Sequence, residues 1–483
     1  MLTIITGRGK SGKTTRLLEA VRACPGEAMG SRIGIVPEQL SHETERLLSR
    51  LCGDSISYVS EVLSMTRLFD RVCAVSGGGA RPTLDQGGRI LTAQLALSSL
   101  RPQLKVFGAA AGKPEFLSGM VSMIDELKSY GVTPQTLMGA AAQAQGLFAQ
   151  KLSELSMILG AYEAASAQGA RDPRDKLTLL RKKLMEGAYA PGRHFFVDGF
   201  TDYSEQELRV LEALLRRGES MTVTVPAGNP EDPQALFAPG RETLSALCHM
   251  AEAAGVQVEI IHTTFRRTLP PELACLEQNL FSYGASPFPG EADHITVTQW
   301  ETRLEECRAC AAVLRRHAME GMRLRDMAIA CGDEKSYGAL LSSVMEEMGL
   351  PLYRNEKRPV LTHPAARFLL LALECAGESM EQEAVLAYLK TSYCGLDRND
   401  VDRIENYVVT WAISGSKFFS KWTMHPEGYD GFFTEETEAR LQRINDCRQQ
   451  AMAPLLHLSA KLKSALNVKG QMEALFDFLQ ETR

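Results

Sequence analysis

Residues 7–14 read Gly7-Arg8-Gly9-Lys10-Ser11-Gly12-Lys13-Thr14, a glycine-rich turn that meets the pattern GxxxxGK[ST] at every fixed position. Glycines let backbone N–H groups turn inward around a phosphate, and the helix that follows adds its partial positive charge. Lys13 has the reach for β- and γ-phosphates, and the Thr14 hydroxyl suits Mg²⁺. The context fits the motif, because Leu2 to Thr6 is a short β-rich run and Thr14 to Ala23 has helical spacing until Pro25-Gly26. Residues 7–15, with Thr15 continuing the first helical turn, are the candidate nucleotide-binding segment.

Working outward, Ile33 to Val36 is a second strand ending at Pro37, and Ser41 is placed to cap a helix whose first turn carries Glu43 and Glu45. Ile56 to Val59 followed by Leu63 to Val72 repeats strand then helix. Alternating βα units predict an α/β fold with a parallel sheet and ligands at the carboxyl ends of its strands. From about 85 to 190 amphipathic helical patterns take over, as in Phe116 to Leu127 and Leu147 to Ala165. Strand patterns resume at His194 to Val197 and Met221 to Val225, so the first sheet is expected to close around a helical insertion. Pro226 to Gly240 and Pro270 to Gly290 read as loops, the second as a domain boundary. A second series follows: strand Ile295 to Gln299, helix Leu304 to His317, strand Met327 to Ala330, helix Tyr337 to Met348. Beyond about 364 the pattern is helical.

The chain has 483 residues, more than the roughly 250–300 at which single cores stop growing, which predicts at least two domains. With 53 basic and 59 acidic residues the net charge is −6, which argues against coating nucleic acid by bulk charge and leaves room for a local basic groove. The six residues before Gly7 are too short for a signal peptide or membrane anchor, and no later run reaches transmembrane length, so the expected location is cytoplasmic. Eleven cysteines are scattered without framework spacing. The pair Cys307 and Cys310 has no second CxxC to complete a zinc set.

A phosphate loop needs a second Mg²⁺ partner, normally an Asp after an apolar strand, and His194-Phe195-Phe196-Val197-Asp198-Gly199-Phe200 offers Asp198 as the Walker B residue. A turn-forming Asp-Gly is the alternative. ATPase motors usually place a Glu directly after this Asp, and here that position is Gly199. Losing a general base commonly costs about 10²–10⁴-fold in rate, so the site is expected to hold nucleotide rather than turn it over quickly. Glu205 and Glu207 lie too far along the chain to substitute.

Taken together, the segments TGRGKSGKTT (6–15), GIVPEQLSHETE (34–45), VLSMTRLFDRV (62–72) and HFFVDGFTDYSEQE (194–207) resemble the AddB-type subunit of the AddAB helicase-nuclease. Residues 295–316 and 327–374 look like the start of a second RecA-like lobe of superfamily 1 helicases. The resemblance implies a first RecA-like lobe from 1–85 and 190–290, a helical insertion at 86–189, the start of a second lobe at 291–363, and a second, truncated insertion at 364–483. It also implies an amino-terminal piece of a longer subunit whose iron–sulfur nuclease domain lies beyond this chain, a heterodimer with an AddA-type motor subunit, and work in double-strand break repair and recombination. This portion is expected to have weak or no ATPase activity and no nuclease activity. No segment precedes Gly7 to carry the adenine-reading Gln usual in helicase ATP sites, so base selectivity is expected to be weak.

In that family the subunit keeps the phosphate loop yet scans single-stranded DNA for the Chi sequence. Positions matching its recognition surface are Gln39, Ser41, Arg67 and Phe200. Amide and hydroxyl groups suit base edges, Arg suits a guanine edge or a phosphate, and Phe offers a stacking face. Plainer roles compete: Ser41 as a cap, Arg67 paired with Glu61 or Asp70, Phe200 as core. The sequence departs from the relatives at Met65 and Asp70, where they tend to carry aromatics, which leaves the recognised DNA sequence open. The basic runs Arg181-Lys182-Lys183, Arg216-Arg217, Arg266-Arg267 and Arg315-Arg316 read as a strand channel or as solvated faces. Trp300, Trp411 and Trp422 read as packing residues. The other readings are a P-loop small-molecule phosphotransferase, disfavoured by the long insertion, and a non-enzymatic scaffold with structural nucleotide.

Overall fold

The computed structural model describes every residue except 26–27, 80, 229–234, 264–268, 355–359, 378–379, 430 and 483. The chain divides into two compact units, residues 1–298 and 299–483.

The first unit is an α/β fold of the RecA-like kind, built on a six-stranded, all-parallel sheet: β1 (Leu2–Thr6), β2 (Arg32–Ile35), β3 (Ser60–Leu63), β4 (His194–Val197), β5 (Ser220–Val225) and β6 (Val258–His262). Its spatial order is β3-β2-β4-β5-β1-β6. Strands covered by helices on both faces bury nearly every side chain, and Leu2, Ile4 and Ile5 of β1 are at most 1% exposed. Each such side chain stabilises the fold by about 1.5–3 kcal/mol. The helix Lys13–Ala23 covers one face by laying Leu17, Leu18 and Val21 against Ile5, Val36 and Phe196. The opposite face carries the larger core, where Leu68, Phe69 and Val72 of the helix Met65–Ser76 and Val210, Leu211 and Leu214 of the helix Glu205–Arg217 meet β2, β4 and β5.

Three strand expectations are corrected. Ile56 to Val59 forms a short helical turn, and β3 follows it at Ser60–Leu63. Both stretches are apolar enough for a strand, and the ladder to β2, Arg32 opposite Ser60, decides between them. Ile295 to Gln299 and Met327 to Ala330 form no strand, because no described residue offers a ladder for their backbone groups. Two loop expectations also change. Helices start inside both Pro-rich stretches, at Ala238–Ala254 and Pro271–Asn279, since Pro in the first helical turn lacks only an N–H that would be unpaired anyway. β6 is a strand that the pattern does not announce.

Residues 86–168 contribute helices alone. Their return to the sheet is fastened by a buried charge cluster around Asp172, which is fully buried. Asp172 lies 3.2 Å from the Lys128 ammonium and 3.6 Å from the Arg89 guanidinium, and accepts the Arg174 backbone N–H at 2.8 Å. Arg89 also grips Asp125, and Lys128 reaches Asp175 at 2.6 Å. Burial pushes the Asp125 carboxyl up, but bonds from Arg89 and Arg174 outweigh it and hold the group below the ordinary range.

The regular elements among the second unit's described residues are all helices. A small core joins Cys307 and Ala311 of the helix Arg303–Met319 to Leu341, Val344 and Met345 of the helix Glu334–Glu347. A larger one is built by helices between Pro364 and Glu481, with Tyr388, Tyr407, Phe418 and Trp422 at its centre.

Asp172→Ala removes the one fully buried carboxylate shared by two buried cations, leaving each with a single carboxylate partner, and is expected to cost about 3 kcal/mol in denaturant unfolding; a loss under about 1 kcal/mol would contradict the cluster's role. Because Asp125 is held low, its contribution is full above the unfolded carboxylate value of about 3.9 and fades as pH falls through the lower folded value. Asp125→Asn should therefore flatten the fall in stability below about pH 4, read as the thermal midpoint against pH.

Candidate functional site

β1 is the strand at which the sheet changes direction. The chain leaves it through the helix Lys13–Ala23 to reach β2 three places to one side, and later returns β6 to its other side. Ligands of open parallel sheets bind in the crevice at such a point, and residues 7–14 lie at the carboxyl end of β1.

The loop has the backbone geometry its composition predicts. Lys10 and Gly12 adopt left-handed conformations, φ 55° and 87°, and Gly12 precedes the helix with no side-chain cap. A left-handed turn leading into an uncapped helix start is the kind of backbone that presents N–H groups to an anion. A Cβ on Gly7 would collide with the Thr263 and Ser11 hydroxyls, which bond each other at 2.7 Å. Thr263 also donates to the Thr6 carbonyl at 2.8 Å, so the far end of the loop is tied to the end of β6. Lys13 Nζ lies inside the loop and donates to the carbonyls of Gly7 (3.0 Å) and Arg8 (2.7 Å). Burial lowers its pKa, and the Asp198 carboxylate opposes that shift.

Asp198 is thus within electrostatic reach of Lys13 although one strand, β5, separates β4 from β1. It is 9% exposed, and the Thr224 hydroxyl of β5 donates to its Oδ1. The Asp198 N–H is taken by the Ile35 carbonyl, which aims the side chain along the carboxyl edge. The buried Asp198 carboxylate and the Thr14 hydroxyl are oxygen donors of the kind Mg²⁺ takes, and the Lys13 ammonium is the charge that matches phosphate oxygens. Thr224 and Thr263 escape sequence reasoning; Thr224 at least lies in a strand buried along almost its whole length, whereas Thr263 follows a half-exposed edge strand. The Arg8 side chain points away from the concavity toward Glu277, and the Thr15 side chain is exposed.

Gly199 has φ 81°, and a Cβ there would fall 2.6 Å from Leu40 Cδ1 and 3.2 Å from Pro37 Cδ. The place where a motor carries its water-orienting Glu is therefore disfavoured for any side chain by its left-handed backbone, with Leu40 and Pro37 of the segment after β2 crowding a Cβ. Glu207 cannot stand in, because it forms the capping box with Ser204, and Glu205 pairs with Arg209 at 2.8 Å.

β3, β2 and β4 are neighbours, so the segments following them share one edge. Gln39 is exposed there in a short 3₁₀ turn, Glu38–Leu40. Arg67 lies in the first turn of the helix Met65–Ser76, whose cap is Ser64. It is half-exposed and sits 3.9 Å from Glu38 and from Glu45; Glu61 pairs instead with Arg71. Phe200 is half-buried, stacked on Tyr203 at 5.2 Å between ring centres and packed against the main core. Ser41 does not cap the helix Ser41–Cys52: Leu40 holds that position, and the Ser41 hydroxyl is buried with no hydrogen-bond partner among the described residues. The Tyr203 hydroxyl is likewise buried and unpartnered, and burial, with the charges of Glu207 and Asp198, pushes its pKa well up.

The basic runs are partly committed to local structure, while Arg181, Lys182, Arg315 and Arg316 are exposed. Lys183 donates to the Gly77 carbonyl at 2.5 Å, Arg216 to Glu212 and the Ala253 carbonyl, and Arg217 to the Gly187 carbonyl. Arg266-Arg267 lies outside the described residues. Trp422 is buried and Trp411 half-buried in the second unit's core, while Trp300 is 47% exposed. No described helix is long and apolar enough to cross a membrane.

A family model described as "ADDB, N-terminal" matches residues 4–277. Proteins named as the B-type subunit of an ATP-dependent helicase/deoxyribonuclease are similar over almost the whole chain: that of Moorella thermoacetica is 32% identical over 99% of it, that of Desulforudis audaxviator 31% over 99%, and that of Acetivibrio thermocellus 30% over 99%. The chain spans 43–44% of the length of these curated relatives.

A carboxylate cannot be installed at residue 199 without strain of about 1–3 kcal/mol. Gly199→Glu is expected to lower the thermal midpoint and to leave ATP turnover unchanged, measured by phosphate release. A rise of about 10²-fold, the least a working general base supplies, would contradict the closure of this position.

Proposed function

Because the chain belongs to the AddB amino-terminal family, we propose that it is the ATP-binding, helicase-like portion of a helicase/deoxyribonuclease subunit that grips single-stranded DNA. Residues 1–85 with 190–290 form the nucleotide lobe on this reading, 86–189 its helical insertion, 291–363 the start of a second lobe and 364–483 a second insertion. The observation that carries the proposal is the Lys13 ammonium, held inside a glycine-lined concavity and within the field of the buried Asp198. Lys13 would exchange two loop carbonyls for β- and γ-phosphate oxygens. Thr14 and Asp198 would hold Mg²⁺, which neutralises phosphate charge. With Gly199 in place of a base, ATP would be retained far longer than in a motor.

Gln39, Arg67 and Phe200 present an amide, a guanidinium and a ring along the edge of β3, β2 and β4, and this supports a contact surface for unstacked bases. The Arg67 contacts to Glu38 and Glu45 are exposed and loose, worth about 0–1 kcal/mol, so releasing the guanidinium to a base or phosphate costs little. Ser41 is buried and would join only after a local rearrangement. Within the whole subunit, the role proposed is scanning for Chi alongside an AddA-type motor during double-strand break processing in the cytoplasm, with the iron–sulfur nuclease domain carried elsewhere in the protein.

Lys13→Ala should abolish Mg–ATP binding in calorimetric titration; unchanged affinity would refute the phosphate-loop assignment. Arg67→Ala should weaken binding to a preferred oligonucleotide by about 1–3 kcal/mol while affecting random strands less, followed by fluorescence anisotropy. Equal loss on all strands would reduce Arg67 to a backbone contact.

A further inference from the structure

Arg8 occupies a variable position of the phosphate loop, where a guanidinium invites the reading that it meets phosphate. Its surroundings contradict that. The side chain is 9% exposed; Nε donates to Glu277 Oε1 at 2.9 Å and Nη2 donates to the Glu277 backbone carbonyl at 2.9 Å. The guanidinium also lies over the Phe237 ring, 5.2 Å from its centre.

Each contact has a physical rationale. Glu277 stands in the last turn of the helix Pro271–Asn279, where carbonyls lack intrahelical partners and the dipole favours a cation. Arg8 therefore caps that helix, neutralises a carboxylate with a charge-assisted bond and sits on an aromatic face. Only a planar fork with several fixed donors meets both oxygens at once. The consequence passes through the backbone. The carbonyl of Arg8 and that of Gly7 before it are the two acceptors that hold Lys13 Nζ. Anchoring the Arg8 side chain fixes the peptide planes on which Lys13 rests, while the Ser11–Thr263 bond fixes the other end of the loop.

We infer that Arg8 and Glu277 are a positioning pair for the nucleotide site: they hold the phosphate loop in register for Lys13, and Arg8 does not itself contact phosphate. This makes the helix Pro271–Asn279, well removed from the loop in sequence, part of the nucleotide-binding apparatus. The inference rests on the nucleotide-binding reading above and adds residues to it.

The test is a double-mutant cycle on Mg–ATP affinity, measured by calorimetry on the chain below the thermal midpoint of every variant. Arg8→Ala, Glu277→Ala and the double variant should each weaken binding by a similar factor, about tenfold as for other losses of an orienting partner, so that the effects do not add. Glu277→Gln, which keeps an acceptor for Nε, should recover part of the affinity. If Arg8 touched phosphate, Arg8→Ala would cost more than Glu277→Ala, and freeing the guanidinium in Glu277→Ala would preserve or raise affinity; that outcome overturns the inference. So does a lowered thermal midpoint with unchanged affinity in all variants, which makes the pair a fold contact only. Absence of Mg–ATP binding in the unaltered chain would instead remove the nucleotide reading beneath it.

Discussion

The placement of one ammonium group organises the first unit. Lys13 is drawn into a loop whose carbonyls accept it, and it feels the carboxylate of Asp198 from two strands away. The supports of this arrangement are distant in the chain. The loop must be pinned at Thr263 beyond β6 and at Glu277 beyond that, and Asp198 must be steadied by Thr224 on β5. A sheet with β1 placed between β5 and β6 supplies all of these anchors at one end.

Gly199 shows how the same framework narrows the chemistry. Its left-handed backbone sets Leu40 and Pro37 against the place a Cβ would take next to Asp198. Those two residues flank Gln39 in the segment after β2, so the candidate nucleotide edge and the candidate DNA edge share a wall. The feature that denies the site a base also shapes the surface on which Gln39, Arg67 and Phe200 are displayed.

Much of this is legible from residues 7–14 and 194–200, because a phosphate loop and an Asp after an apolar strand are local patterns with one structural solution. The apolar pattern places β3 four residues early, since Ile56 to Val59 and Ser60 to Leu63 are both apolar enough for a strand and only pairing with β2 chooses between them. Ser41 has the composition of a cap, yet the 3₁₀ turn before it shifts the helix start and leaves its hydroxyl buried. The partners of Arg8, Ser11 and Asp198 lie 26 to 269 residues from their counterparts, or join strands whose order the sequence does not state. Expected strands at 295–299 and 327–330 have the right composition and no ladder among the described residues, and composition cannot supply a ladder.

On the proposed reading this loop retains Mg–ATP without hydrolysing it. Rapid-quench analysis of stoichiometric radiolabelled ATP, mixed with the chain and chased with unlabelled nucleotide, tests it directly. Label should stay bound to the chain and be recovered as intact ATP after release. Label converted to ADP within a motor's turnover time, or never retained, would contradict it.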